Sequence, residues 1–133
     1  GIKEASGDIT YAAKIARHLS EDFVMYSGND DMIVSMMSLG GAGVISVLAN
    51  VLPKETHDMV FDYLNGDMEK AKEAQLRYLD LVGALFAEVN PIPVKEALNL
   101  MGMEVGGYRL PLTAPTQATR ERLKKAMKEA GLL

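Results

Sequence analysis

Lys3 is the residue whose type and position most directly offer chemistry. It sits in Gly1-Ile2-Lys3-Glu4-Ala5-Ser6-Gly7-Asp8, which reads as the tail of a β-strand closed by a Ser-Gly-Asp turn. An amine at the C-terminal end of a parallel strand is placed for Schiff-base formation with a carbonyl substrate. Burial penalises the ammonium form and makes free amine available near neutral pH. Taken alone, the same residue reads as an ordinary surface lysine near a chain start. The other candidates are weaker. His18 and His57 fall on helical stretches, and neither forms half of a convincing ligand set, so no metal is expected. Gly40-Gly41-Ala42-Gly43 lacks a following Lys-Ser/Thr and runs into a strand, so it is no phosphate loop. No cofactor is implied. Met32, Met36 and Met37 read as packing residues.

The elements that must position Lys3 follow from patterning. Gly1–Glu4 is a strand end. Ile9, Ala12, Ala16 and Leu19 recur at helical spacing, with Asp8 or Thr10 as cap. Phe23–Ser27 reads as a buried parallel strand ended by Gly28-Asn29-Asp30, itself an ordinary turn on composition. A helix over Asp31–Leu39 stops at Gly40-Gly41, and Gly43–Val47 is a third strand. This is βαβαβ, with crossovers that make the strands parallel. After that the strands cease. Pro53 opens a helix that runs to Asn65-Gly66. Asp67 caps a long helix to about Glu88, with Leu76, Leu79, Gly83 and Phe86 on one stripe. Asn90-Pro91-Ile92-Pro93 forms a corner before a helix to about Met101. A loop covers 106–115, and Thr116–Ala130 is a last helix ended by Gly131.

Bulk properties narrow the classes. The chain has 133 residues, a net charge of −4 and no cysteine. That excludes disulfides and thiolate chemistry, gives no support for nucleic-acid or membrane-surface binding, and suits a cytoplasmic protein. No apolar stretch approaches the ~20 residues needed to span a bilayer. The chain begins without Met and inside an element, which points to sequence before Gly1. Three parallel strands alone would expose unpaired edges and apolar faces. The fold class expected is therefore α/β, the C-terminal part of a (β/α)₈ TIM barrel, followed by a small all-helical domain. The barrel portion is placed at residues 1–66 and the helical domain at 67–133.

Five segments carry a family resemblance: Gly1–Asp8, Ser27-Gly28-Asn29-Asp30, Gly41–Val47, Asn90-Pro91-Ile92-Pro93-Val94-Lys95 and Arg109-Leu110-Pro111-Leu112-Thr113. In this order and spacing the chain resembles, over essentially its whole length, the C-terminal half of the dihydrodipicolinate synthase family of pyruvate-dependent class I aldolases. The resemblance implies that the three strands are the sixth to eighth of the barrel. It implies that Lys3 forms an imine with pyruvate and that the derived enamine attacks aspartate-β-semialdehyde, in lysine biosynthesis through diaminopimelate. Ile45 would pack beside pyruvate, and Gly28 and Asp30 would face the aldehyde. Asn29 stands where some relatives carry an acidic residue. Ile9, Thr10 and Leu39 match positions where family dimers meet, implying a homotetramer. The family's proton relay, its substrate-carboxylate arginine and its pyruvate-carboxylate loop precede the lysine strand, so the upstream part of the barrel is an implied partner, and little activity is expected of these residues alone. N-acetylneuraminate and 2-keto-3-deoxygluconate types of aldolase, and a non-catalytic half-barrel acting as an assembly module, stay open as alternatives. Glu4-Ala5 after the lysine favours the dihydrodipicolinate branch.

Overall fold

A computed structural model describes residues 1–133. The chain is α/β and divides into two compact units, Gly1–Arg77 and Tyr78–Leu133. No helix is long and apolar enough to cross a membrane.

The first unit begins with strand β1 (Ile2–Glu4), helix α1 (Ile9–Ala16) and strand β2 (Met25–Ser27). β1 and β2 are parallel, with Ile2 opposite Met25, Lys3 opposite Tyr26 and Glu4 opposite Ser27. Asp8 is the N-cap of α1: its carboxylate accepts from the Thr10 and Tyr11 amides at 2.8 and 3.2 Å. α1 stops at Ala16, short of the expected Leu19, and His18 lies outside it. β2 starts two residues later than patterning implied. Ser20 and Phe23 instead exchange two backbone bonds in a tight turn of their own.

The expected third strand, Gly43–Val47, is reduced to one parallel bridge between Ser27 and Val44. The Ser27 amide donates to the Gly43 carbonyl and the Ile45 amide to the Ser27 carbonyl, each at 2.9 Å. The segment is short because its backbone leaves the β region at both ends. Gly43 has φ +150°, and Val47 is already helical ahead of a 3₁₀ turn at Leu48–Asn50.

A 3₁₀ turn (Asp30–Met32) leads into α2 (Ile33–Ser38), and α3 (Pro53–Leu64) and α4 (Met68–Arg77) complete the unit. Pro53 occupies the first turn of α3, where its missing N–H has no intrahelical partner to lose. Gly66, at φ +91°, takes the left-handed position that closes α3. Met25, Ile33, Met36, Leu48 and Met59 are fully buried. Each such side chain contributes about 1.5–3 kcal/mol relative to exposure. Core burial therefore outweighs the caps, typically ~1 kcal/mol each, in holding the unit together.

The single long helix expected from Asp67 to Glu88 is two helices. It breaks at Tyr78, whose φ/ψ of −97°/6° is not helical, and α5 (Leu79–Leu85) follows. The break resets the helical phase. Leu76, Leu79 and Phe86, expected on one apolar stripe, are exposed, while Ala71 and Gln75 on α4 and Leu81, Val82, Ala84 and Leu85 on α5 are buried. The two units also meet at 77/78 rather than at 66/67. The offset is α4, which packs on α3 and so stays with the strands.

The second unit packs α5 against α6 (Ile92–Leu100) and α7 (Gln117–Glu129), with Leu81, Leu85, Val94, Leu123 and Met127 in its core. Thr116 caps α7, its hydroxyl accepting from the Thr119 amide at 3.3 Å.

Candidate active site

Strand alternation sorts the residues of β1 and β2 onto two faces. Glu4, Met25 and Ser27 are buried, and Ile2 packs against the Ala12, Met25 and Met36 cluster. Lys3 and its register partner Tyr26 are exposed on the opposite face.

Gly28 follows β2 and sits against Lys3. Its amide donates to the Glu4 carbonyl at 2.6 Å. A Cβ at this position would stand 2.9 Å from Lys3 Cε, 2.5 Å from Ala5 Cβ and 3.0 Å from the Glu4 carbonyl oxygen. Only glycine lets the turn after β2 come this close to the lysine. Ile45 is 48% exposed, and its amide binds the Ser27 carbonyl, one residue before Gly28. Lys3, Gly28 and Ile45 thus lie at the C-terminal ends of three neighbouring parallel segments. Ends of this kind carry the chemistry in parallel α/β barrels.

Asp30 does not join them. It is 1% exposed, and its Oδ2 accepts from the Val47 and Leu48 amides at 2.9 and 3.1 Å. Its Oδ1 is buried with no partner. The expectation that Asp30 faces an aldehyde draws no support from this geometry, in which the side chain is buried with one oxygen on two backbone amides.

The apolar enclosure expected around the Lys3 amine is likewise not supplied by these residues, since the side chain is exposed. Of the residues read as a dimer patch, Ile9 is 44% exposed and Thr10 is exposed, but Leu39 is half-buried against the α1–β2 cluster.

Two further residues escaped the sequence reading. Tyr26 shares the face of Lys3, which the period-2 rule could have found once the strands were paired. Gln75 is buried on α4, with its Nε2 donating to the Asp30 carbonyl at 2.8 Å and its Oε1 accepting from the Val34 amide at 3.2 Å. Nothing local announces it, because its partners lie more than forty positions away.

In the second unit, two of the family-like segments line one concavity of about 560 Å³, formed by Pro91, Lys95, Gly107, Tyr108, Arg109 and Leu112 among others. The Lys95 ammonium is bonded to the Gly107 carbonyl and lies 5.7 Å from the centre of the Tyr108 ring. Burial, and then the bond from its hydroxyl to Glu96, push the Tyr108 phenol up to about 12. Lys95 and Tyr108 thus satisfy their polar groups within the protein, unlike Lys3.

A model of the dihydrodipicolinate synthetase family matches residues 1–130. The 4-hydroxy-tetrahydrodipicolinate synthase of Caldicellulosiruptor saccharolyticus is 62% identical over 131 residues, 98% of this chain and 44% of that protein. That of Thermoanaerobacter pseudethanolicus is 54% identical over 133 residues, 100% of this chain and 45% of that protein. Among solved structures, dihydrodipicolinate synthase from Thermotoga maritima superposes with a TM-score of 0.94 at 43% identity, covering 100% of this chain and 46% of that one. The lysine-bound enzyme from Cyanidioschyzon merolae gives 0.92 at 45%, covering 98% and 44%. The chain spans less than half the length of the relatives it matches.

Proposed function

The chain belongs to the dihydrodipicolinate synthetase family, and from that membership we propose that it carries the imine-forming lysine of a synthase that condenses pyruvate with aspartate-β-semialdehyde. The observation that carries the reading is the approach of Gly28 to Lys3 with Ile45 on the neighbouring segment. It leaves an amine and an apolar side chain exposed at neighbouring segment ends, on either side of the β2 turn.

In the proposed reaction, free Lys3 Nζ attacks C2 of pyruvate and forms a carbinolamine. Loss of water gives a protonated imine, which acidifies the adjacent methyl. A proton leaves that methyl, and the enamine carbon bonds to the aldehyde carbon of aspartate-β-semialdehyde. The substrate amine then attacks C2, closes the ring and expels Lys3. Ile45 packs against the three-carbon unit, and the missing Cβ of Gly28 leaves room beside the lysine stem. The proton relay, the carboxylate anchors and the enclosure that favours free amine come from the preceding strands of a (β/α)₈ barrel, in which β1, β2 and the Val44 segment are the sixth to eighth. The working form is a cytoplasmic homotetramer, with Ile9 and Thr10 in an isologous patch and Leu39 at its margin.

Borohydride reduction of the complete barrel in the presence of pyruvate, followed by peptide mapping, tests the reading. The reduced adduct should lie on Lys3. An adduct on another lysine, or none, overturns it.

A further inference from the structure

We propose that Gln75 is a positioning residue for the reactive face, acting through Asp30 and not on substrate; the proposal rests on the imine reading above. Gln75 is the buried α4 side chain that reaches the turn after β2. Its amide group is used at both ends. Nε2 donates to the Asp30 carbonyl and Oε1 accepts from the Val34 amide, so it binds the 3₁₀ turn after β2 to the first turn of α2. Asp30 carries the constraint onward, because its Oδ2 holds the Val47 and Leu48 amides.

The spacing gives this chain of bonds its consequence. Asp30 is two residues beyond Gly28, and Val47 is two residues beyond Ile45. The Gln75–Asp30 latch therefore ties the segment after β2 to the third segment, which lies on the far side of β2 from Lys3, through buried bonds. Strand pairing holds the third segment as far as Ile45, whose amide binds the Ser27 carbonyl, and the Asp30 bonds continue the hold at Val47 and Leu48. Stability alone is a poor account of it. Asp30 Oδ1 is buried without a partner, and such an atom costs folding free energy that an apolar pair would avoid. What the polar arrangement provides is direction: hydrogen bonds hold Ile45 at one height relative to Lys3, where apolar packing would tolerate sliding.

Gln75→Met in the complete barrel tests this, since it keeps length and burial while removing both bonds. Amide hydrogen exchange should accelerate at Val34, Val47 and Leu48. The pyruvate KM should rise about tenfold with a smaller change in kcat, because the position of Ile45 moves while the amine stays on β1. A space-filling role would leave KM at the parent value. The second variant, Asp30→Asn, keeps an acceptor oxygen for the Val47 and Leu48 amides and should hold both KM values within about twofold of the parent. If Gln75→Met does not fold, Gln75→Glu, which keeps an acceptor for the Val34 amide and loses the donor to the Asp30 carbonyl, reads the same latch through a raised pyruvate KM and faster exchange at Val47 and Leu48. Unchanged exchange at Val47 and Leu48, or an unchanged KM with accelerated exchange, overturns the inference. A raised aldehyde KM in Asp30→Asn also overturns it, because Asp30 would then touch substrate. A parent protein that traps no pyruvate removes the imine reading and this inference with it. That outcome is distinct from a parent that traps normally and a variant that matches it.

Discussion

The two faces of one small sheet treat their side chains in opposite ways. On the covered face, polar groups find partners inside the unit. Glu4 Oε1 accepts from the Ser6 amide at 2.8 Å, the Ser27 hydroxyl donates to the Asn29 carbonyl at 2.8 Å, and Asp30 holds two amides. On the open face, Lys3, Tyr26 and Ile45 are exposed, and no hydrogen bond or ion pair engages the Lys3 amine. Residues one position apart on the same strand are thus committed to opposite ends. Pairing offsets most of the cost of burying polar groups, so the roles of Glu4 and Ser27 are set by the fold. On the imine reading, the unengaged Lys3 amine beside Gly28 is the group left for a carbonyl.

The sharpest way to break the comparison is at Lys3. Lys3→Ala in the complete barrel should abolish imine formation, read as loss of the borohydride adduct and of turnover, with the thermal midpoint close to the parent. No other residue on this face can form the covalent intermediate. Substantial residual turnover would remove the proposed mechanism.

Next in size is Gly28→Ala, which makes the faces interfere. The new Cβ would overlap the Ala5 Cβ and crowd both Lys3 Cε and the Glu4 carbonyl, two of them backbone-bound obstacles that yield little. Overpacking of this kind costs about 1–3 kcal/mol. The displaced lysine should cost more than stability does: trapping should slow by up to ~10²-fold, the penalty for roughly 1 Å of misplacement. Normal trapping kinetics in a destabilised variant would show that Gly28 serves folding alone.

What could be read from the sequence was local. Asp8, Pro53, Gly66 and Thr116 mark element ends because a cap or a left-handed turn is decided within a few residues. The place of Lys3 at a strand end was legible for the same reason, and the family resemblance agrees with the matched relatives along the whole chain. What could not be read depends on distant partners. Asp30 looks like a turn residue until Val47 and Leu48 are brought to it. Gln75 looks like an exposed helix residue until the 3₁₀ turn arrives 45 positions away. The break at Tyr78 turned the stripe of Leu79 and Phe86 to solvent, since periodicity cannot register a helix that stops and restarts in another phase.

A smaller effect is expected where the first unit presents apolar residues outward. Ile9 and Tyr11 are exposed on the first turn of α1, whose cap, Asp8, already satisfies the local amides. Ile9→Asp adds negative charge near a helix N-terminus, which the helix dipole tolerates or favours. Folding should be unaffected while a small isologous patch is broken, so sedimentation should show tetramers shifting to dimers. An unchanged tetramer would place the interface elsewhere.

The smallest effect belongs to the second unit and tests whether paired polar groups there behave as those of the covered face do. Glu88 Oε1 accepts from the Thr116 amide and hydroxyl, each at 2.9 Å, directly at the N-terminus of α7. The Thr119 hydroxyl, followed by these two Thr116 donors, holds the Glu88 carboxyl below the usual glutamate range. A carboxyl depressed in the folded state contributes stability that is fully present above its ordinary value. That contribution is lost as pH falls through the lower, folded value. Glu88→Gln should therefore lower the thermal midpoint slightly at neutral pH. The gap from the parent should close as pH falls below the ordinary carboxylate range, where both side chains are neutral. Because the group is solvent-accessible, added salt should shrink the gap as well. A gap that stays constant across the acid range would mean that the oxygen's geometry, and not its charge, secures the start of α7.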